Sequence, residues 1–263
     1  MDDERTQGSP DDARTRGGQD DVVGAQIASI LDEAASGPST GGAGQTARPA
    51  LDREEREIKD NVLRMGSLVE DQILAAIDAL TSHDAEKALA VIVGDSRINE
   101  AQRHVSTLIV KTIATQQPVA RDLRFLLSLD HVTYELERIG DHAASVAKQV
   151  RKLAPEPPLK QYVDLPEMGR LGAQLVRGIL RALVDIDEAV ARDVAARDDE
   201  IDHLYHRTFS EVLELMRADP ANVERGARIL LAAHYLERIG DRVTNIAEDV
   251  VYLASGEVED LNP

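Results

Sequence analysis

The sequence predicts an all-α protein built from two tandem, pseudo-symmetric three-helix bundles. The composition favours helices, because Ala, Leu, Val, Ile, Glu and Arg dominate and aromatic residues make up only 3% of the chain. Long stretches with apolar residues at helical spacing follow one another from residue 51 onward. The hexapeptide Leu-Glu-Arg-Ile-Gly-Asp occurs twice, at 136–141 and 236–241, which indicates an internal duplication.

The first fifty residues differ from the rest of the chain. They hold 8 of the 17 glycines, together with many Asp, Ser, Thr and Gln residues. Such a segment buries too little apolar surface to offset its loss of conformational entropy, so a disordered acidic extension is predicted. Within it, residues 22–35 have apolar residues at helical spacing, which leaves a short docking helix open beside a frayed tail. The acidic start lacks the apolar core of a secretory signal.

Six long helices are predicted beyond this extension, in two sets of three. Their ranges are 51–81, 84–116 and 119–154, then 166–186, 187–218 and 221–254. Pro155, Pro157 and Pro158 cannot continue a helix and therefore mark a linker between the sets. The predicted domains are the extension (1–50), a first repeat (51–156), a second repeat (157–256) and a C-terminal tail (257–263).

Charge and composition exclude several classes of protein. A net charge of −18 and a pI near 4.8 repel phosphate backbones, which argues against nucleic-acid binding. No apolar run is long enough for a membrane-spanning helix, so direct membrane insertion is not expected. The absence of cysteine excludes disulfides and zinc–thiolate sites. These features together predict a cytoplasmic protein.

Acidic residues in the repeated hexapeptide point to a site. Glu137 and Asp141 lie four residues apart, as do Glu237 and Asp241, which places each pair on one helix face. Acid pairs at this spacing are also common on solvated surfaces. However, further polar residues lie at equal distances across the preceding turn, near Pro118 in the first half and near Asp219–Pro220 in the second.

Antiparallel helices would bring these residues together as two four-residue sites. Carboxylates that converge in this way need a cation such as Mg²⁺, Mn²⁺, Ca²⁺, iron or Zn²⁺, or else partial protonation. The predicted metal ligands are Asp95, Asn99, Glu137 and Asp141 in the first half, and Asp198, Asp202, Glu237 and Asp241 in the second. Because Asn99 is neutral, we expect the first site to bind metal more weakly.

Neighbouring residues refine this hypothesis. Asn245 and Glu248 continue the second acidic stripe and are candidate outer ligands. Gly140 and Gly240 lie in the middle of predicted helices, where glycine is unfavourable, which indicates a close helix approach or room for a ligand. Each hexapeptide arginine is expected to point about 100° away from its glutamate neighbour, towards the surface or the other repeat.

The doubled hexapeptide, the Glu/Asp-x-x-x-Asp pairs and the segment Gln-Pro-Val-Ala-Arg-Asp-Leu-Arg-Phe (117–125) resemble the PhoU family of bacterial phosphate-signalling proteins over about residues 51–256. The resemblance implies two three-helix bundles whose acidic motifs hold iron, zinc, magnesium or manganese. It also implies a cytoplasmic, homodimeric, non-enzymatic protein that limits phosphate uptake and represses the phosphate-starvation response. The expected partners are the ATPase subunit of the phosphate ABC transporter and a sensor histidine kinase.

Two other functions stay open at this stage. A metal-dependent hydrolase or phosphatase is one, although no nucleophile elbow or Gly-rich phosphate loop occurs and no catalytic residue is assigned. The Glu-x-x-His motif of di-iron bundles occurs only at 200–203, without the second copy that such a centre needs. A purely structural helical scaffold, with its acids on solvated faces, is the other.

Overall fold

Eight α-helices make up most of residues 47–262, the part of the chain that the computed structural model describes. Their bounds are α1 Ala47–Ser82, α2 Ala85–Gly94, α3 Ser96–Gln116, α4 Arg121–Leu153, α5 Asp164–Asp185, α6 Glu188–Ala196, α7 Asp198–Ala218 and α8 Val223–Ser255, with a 3₁₀ turn at Pro220–Asn222. The all-α prediction is confirmed. The docking helix considered at 22–35 lies outside the described residues.

Two of the six predicted helices are each divided at a single residue. Asp95 separates α2 from α3, and Arg197 separates α6 from α7, so the prediction of continuous helices over 84–116 and 187–218 is wrong. Both residues keep dihedral angles in the right-handed helical region (φ −56°, ψ −33° and φ −82°, ψ −5°). The apolar spacing therefore continues across each break, which hides it from the sequence pattern.

Aspartates begin the short helix of each repeat at corresponding places. Asp84 Oδ1 accepts hydrogen bonds from the backbone N–H groups of Glu86 (2.8 Å) and Lys87 (3.1 Å) at the start of α2. Asp187 Oδ1 accepts one from Val190 (3.1 Å) at the start of α6. These caps satisfy N–H groups that the first helical turn leaves unpaired, and they fix where the outer helices begin.

The longest helices form the interior, and α4 and α8 share the most extensive contact between any two described helices. They are antiparallel. Glu135 on α4 meets Arg242 on α8 (Oε2 to Nη1, 3.3 Å), and the His142 ring stacks on Tyr235 with centroids 6.0 Å apart. This register places the two hexapeptides against each other at the centre of the molecule.

Helices α1 and α5 cross in the same antiparallel sense. A Cβ on Gly66 would overlap the side chain of Leu180, and one on Gly169 would overlap that of Ile77, so both glycines permit close packing. One continuous apolar core therefore spans both repeats, with α2, α3, α6 and α7 packed on its outside. None of the helices within residues 47–262 is long and apolar enough to cross a lipid bilayer.

Candidate metal centre

The second-half site lies where the start of α7 touches the middle of α8. Asp198, the first residue of α7, is only 5% exposed. It packs directly on Gly240, because a Cβ there would overlap Asp198 Oδ1 and lie 3.3 Å from Ile201 Cδ1. The prediction that the mid-helix glycine permits a close helix approach is therefore confirmed for this position.

The carboxylate of Asp198 is buried without hydrogen bonds. Neither of its oxygens has a partner among the described residues. Burial first, and then the charges of Asp202, Asp241 and Glu237 in that order, raise the pKa of Asp198 to about 7. Burial and Asp241 likewise raise the pKa of Asp202 and of Glu237. The four residues predicted for the second half therefore lie near enough for the other three to raise the pKa of Asp198.

Two of these acids contact basic side chains of their own helix. Arg238 Nη1 lies 2.9 Å from Asp241 Oδ2, and His234 Nδ1 lies 3.3 Å from Glu237 Oε2. The hexapeptide arginine, expected to point away from its glutamate neighbour towards the surface or the other repeat, instead reaches the aspartate carboxylate about one turn later with its long side chain. The first half repeats the arrangement, with Arg138 Nη1 lying 3.3 Å from Asp141.

These pairs keep the carboxylates from converging on one point. Among residues 47–262, no three His, Asp or Glu side chains come close enough together to hold a metal ion as they stand. The second half nevertheless has a suitable donor set, since it offers four carboxylates, one of which is buried with both oxygens unpaired. Coordination would require Asp241 and Glu237 to rotate away from Arg238 and His234.

In the first half, the buried aspartate has hydrogen-bond partners. Asp95 Oδ1 accepts a hydrogen bond from Gln72 Nε2 (2.8 Å), which also donates to the Gly140 carbonyl (3.0 Å). Burial raises the pKa of Asp95, the Gln72 hydrogen bond opposes that rise, and Asp141 adds to it. Asn99 Nδ2 lies 3.5 Å from Asp95 Oδ2, so an amide donor stands where the second half has a repelling carboxylate.

Gln72 is a residue of this site that the sequence analysis missed. It lies on the apolar face of α1, and a glutamine at that position was the signal for it. At the offset of 103 that relates α1 to α5, as in Gly66 and Gly169, the second half has Leu175, whose buried apolar side chain cannot donate a hydrogen bond. This difference explains why Asp95 has a partner and Asp198 has none.

The candidate outer ligands lie beyond the four acids of α7 and α8. Asn245 is half-buried on the next turn of α8. Glu248 lies about 10 Å beyond Asp241 along the helix, and its Oε1 accepts a hydrogen bond from the backbone N–H of Leu261 (3.0 Å). The structure therefore directs Glu248 to the C-terminal segment and does not join it to the carboxylate group.

Two helical repeats, each with polar residues of its last two helices facing one another, define a class: duplicated α-helical proteins with one candidate metal site per repeat. The sequence model of the PhoU domain matches residues 62–150 and 165–250. These two matches cover more than half of the chain. The protein belongs to the PhoU family, as the sequence resemblance indicated.

Characterised relatives resemble the chain over most of its length. It is 36% identical over 216 residues to a phosphate-specific transport system accessory protein PhoU homolog of Clostridium acetobutylicum, which covers 82% of this chain and 99% of the relative. The crystal structure of PhoU from Pseudomonas aeruginosa superposes with a TM-score of 0.75 at 35% identity and covers 78% of this chain and 99% of that one. The phosphate transport system regulatory protein PhoU from Streptococcus pneumoniae gives a TM-score of 0.73 at 32% identity, with coverages of 80% and 99%.

Proposed function

We propose that this protein is a non-enzymatic, cytoplasmic regulator that limits phosphate uptake and represses the phosphate-starvation response. Its membership of the PhoU family supports this proposal, together with the relatives that are described as accessory or regulatory proteins of phosphate transport. Its proposed partners are the ATPase subunit of the phosphate transporter, a sensor histidine kinase and a second copy of the chain. The long helical surfaces of the two repeats, 51–156 and 157–256, suit such an adaptor.

We further propose that the repeats bind metal ions, iron, zinc, magnesium or manganese, and that the second repeat binds them more tightly. The observation that carries this proposal is the carboxylate of Asp198, with both oxygens buried and unpaired. An unpaired buried anion is unfavourable unless it is protonated or meets a cation. A bound metal would supply the positive charge that neutralises the acids on α7 and α8.

The ligands of the chain would have the following roles. Asp198 and Asp202 would hold the ion from α7, while Glu237 and Asp241 would hold it from α8. Gly240 permits the close approach of the two helices. In the first repeat Asp95, Asn99, Glu137 and Asp141 would form the weaker site, because Asn99 brings no charge and Asp95 already accepts from Gln72.

Deletion of the gene tests the regulatory proposal. We expect a phosphate-starvation reporter to become active in high phosphate and to be silenced again by the wild-type gene. Complementation by a variant with Asp198→Asn and Asp241→Asn tests whether repression of the reporter requires the metal site. Unchanged repression in the deletion strain would refute the regulatory function.

The purified protein separates the metal-site proposal from the other two functions. Elemental analysis before and after chelation should find bound metal in the wild type and less in the double variant. A metal-free protein that is unaffected by added metal would favour the scaffold. Phosphatase activity that depends on metal and is lost in the double variant would favour the hydrolase.

A further inference from the structure

The segment Gln117–Phe125, part of the family resemblance, lies at the far end of the bundle from the acids. Arg124 precedes Asp141 by 17 residues on α4, which corresponds to about 26 Å. Gln117 and Ala120 have positive φ angles of 49° and 45°, and this turn sets the start of α4 at Arg121. The proposed metal sites give this segment no function.

A cavity of about 230 Å³ opens beside this turn. Arg121 and Arg124 line it from the start of α4, and Glu55 lines it from α1. Ile186 and Leu253 of the second repeat close its apolar side. Since drug-sized ligands occupy about 300–1,000 Å³, the space suits a small ion rather than a nucleotide.

The cavity lining carries a net positive charge in a strongly acidic protein, with three arginines against Glu55 and Asp122. Arg48, which also lines it, is paired with Asp122 (2.8 Å) and with Asp52 (3.2 Å). Arg121 and Arg124, by contrast, form no ion pair with any residue in the range 47–262; the guanidinium of Arg124 lies over the ring of Tyr252, 5.2 Å from its centroid. Two guanidinium groups are therefore available for an anion.

Two carboxylates line the cavity, and Asp122 is paired with Arg48, so Glu55 is the one left to act as an acceptor. Glu55 Oε1 is buried and receives no hydrogen bond from the described residues. Burial and the charge of Asp122 raise the pKa of Glu55, while Arg48 and Arg121 oppose that rise. A cavity with unpaired guanidinium donors and one unpaired carboxylate acceptor fits an anion that itself carries a hydroxyl group.

We propose that this cavity binds inorganic hydrogen phosphate. Arg121 and Arg124 donate hydrogen bonds to its unprotonated oxygens, and Glu55 Oε1 accepts one from its hydroxyl group. Sulfate has the same shape but no proton at neutral pH, so Glu55 would repel it. The inference rests on the proposed regulatory function for the biological relevance of phosphate, and it would give that regulator a direct sensor of the ion.

The second repeat has no equivalent cavity lining. At the offset of 100, the residues that correspond to Arg121 and Arg124 are Ala221 and Glu224. Arg225 at the start of α8 is already engaged, since it lies 3.4 Å from Glu156 and 3.0 Å from the Asn222 side chain. The proposal therefore predicts one phosphate per chain.

Isothermal titration of the full chain with inorganic phosphate tests this inference. The protein is first treated with a chelator, so that phosphate held by metal does not contribute. We expect saturable binding with a stoichiometry of one, and a weakening of about tenfold or more in Arg121→Gln and in Arg124→Gln, because each removes a charge-assisted hydrogen bond. Arg181→Gln, the same change at an exposed arginine on α5, is the matched control and should leave the affinity unchanged.

Titration with sulfate tests whether the cavity prefers phosphate. Wild-type protein should bind sulfate at least about tenfold more weakly than phosphate, and Glu55→Gln should remove that preference, since an amide donates to either anion. Absence of phosphate binding at millimolar concentration, wild-type affinity in Arg121→Gln, or equal affinity for sulfate and phosphate would overturn the proposal. Thermal unfolding verifies that each variant folds. If Arg124→Gln disturbs the packing of Tyr252, the result for Arg121→Gln decides, because Arg121 is exposed and its replacement should not affect folding.

The outcome of the phosphate titration is independent of the gene-deletion test. Phosphate binding without any effect of the deletion on the reporter would refute the regulatory function and leave the site standing. Normal regulation by a protein that binds no phosphate would refute the site alone.

Discussion

Replacement of Asp198 by Asn exchanges a buried carboxylate for a neutral amide of nearly the same shape. The pKa of this carboxyl is about 7 in the folded protein, compared with its usual 3.8, because it is buried among other acids. Since the folded-state pKa is raised, the stability that the group contributes is fully present below 3.8 and is lost as the pH rises through about 7. Above that pH the ionised Asp198 destabilises the metal-free fold, and the substitution removes this effect.

The magnitude follows from the two pKa values. A difference of one pKa unit between folded and unfolded states corresponds to about 1.4 kcal/mol, so the rise from 3.8 to about 7 gives about 4 kcal/mol at pH 8 as an upper bound. Side-chain rotation and proton sharing among the acids relieve part of it, and we expect Asp198→Asn to stabilise the metal-free protein by about 2 kcal/mol. For a chain of this size that is an increase in Tm of about 4–8 °C.

Thermal unfolding of chelator-treated protein at pH 8 and pH 5 measures the effect. The advantage of Asp198→Asn should be large at pH 8 and shrink by more than half at pH 5, where the wild-type carboxyl is protonated. Asp199→Asn, the same change at the exposed neighbouring residue, should stay within about 0.5 kcal/mol of the wild type. With metal added, the wild type should become the more stable protein.

One result would refute this reasoning. If Asp198→Asn is less stable than the wild type at pH 8 without metal, the carboxylate has a favourable partner in the folded protein. The four second-half acids would then not form a site that lacks its cation.

Three further predictions concern other parts of the molecule. Asn99→Asp should strengthen metal binding by the first repeat, measured as a lower metal concentration at half-saturation; an unchanged value would remove Asn99 as the cause of the asymmetry between the sites. Gly240→Ala should destabilise the protein by about 1–3 kcal/mol in urea unfolding, because the new methyl group overlaps the carboxylate of Asp198. Gly94→Ala is the control: it has open space around it and should be neutral or stabilising by up to about 1 kcal/mol. His131 hydrogen-bonds to Asp249 across the two repeats (2.7 Å), which raises the pKa of His131 above 6.5. The stability that His131 contributes should therefore be present below pH 6.5 and be lost as the pH rises through the higher folded-state pKa. His131→Gln should remove that pH dependence from urea unfolding curves, and an unaltered dependence would contradict the assignment.

Much of the fold was predictable because it depends on periodic properties of the sequence. Apolar spacing gave the long helices, and the repeated hexapeptide gave the two-fold organisation. The breaks at Asp95 and Arg197 were not predictable in this way, since both residues keep helical dihedral angles and leave the apolar periodicity intact. The antiparallel contact of α4 with α8 depends on packing between distant segments, which periodicity alone does not specify.

The candidate site was predictable in its members but not in its present contacts. Equal spacing about each turn predicted that Asp198 and Asp202 lie near the acids of α8, whose charges do raise the pKa of both. It did not reveal that Arg238 holds Asp241, because that contact depends on the rotamer of a long side chain. Gln72 was missed for another reason: it lies on α1, outside the two helices whose symmetry guided the prediction.

The crossing of α4 and α8 has a consequence for the ancestry of the molecule. At the offset of 100 between the hexapeptide helices, Glu135 corresponds to Tyr235 and Arg242 to His142. The contact of Glu135 with Arg242 therefore has its counterpart in the contact of Tyr235 with His142. Paired contacts of this kind are characteristic of an isologous interface between identical subunits. A single-repeat ancestor would have made the same crossing with a second copy of itself. The geometry of the present chain is that of a homodimer fused into one polypeptide, in which the two halves can differ in charge. An isolated repeat, which exposes the apolar face of its last helix, should associate in pairs.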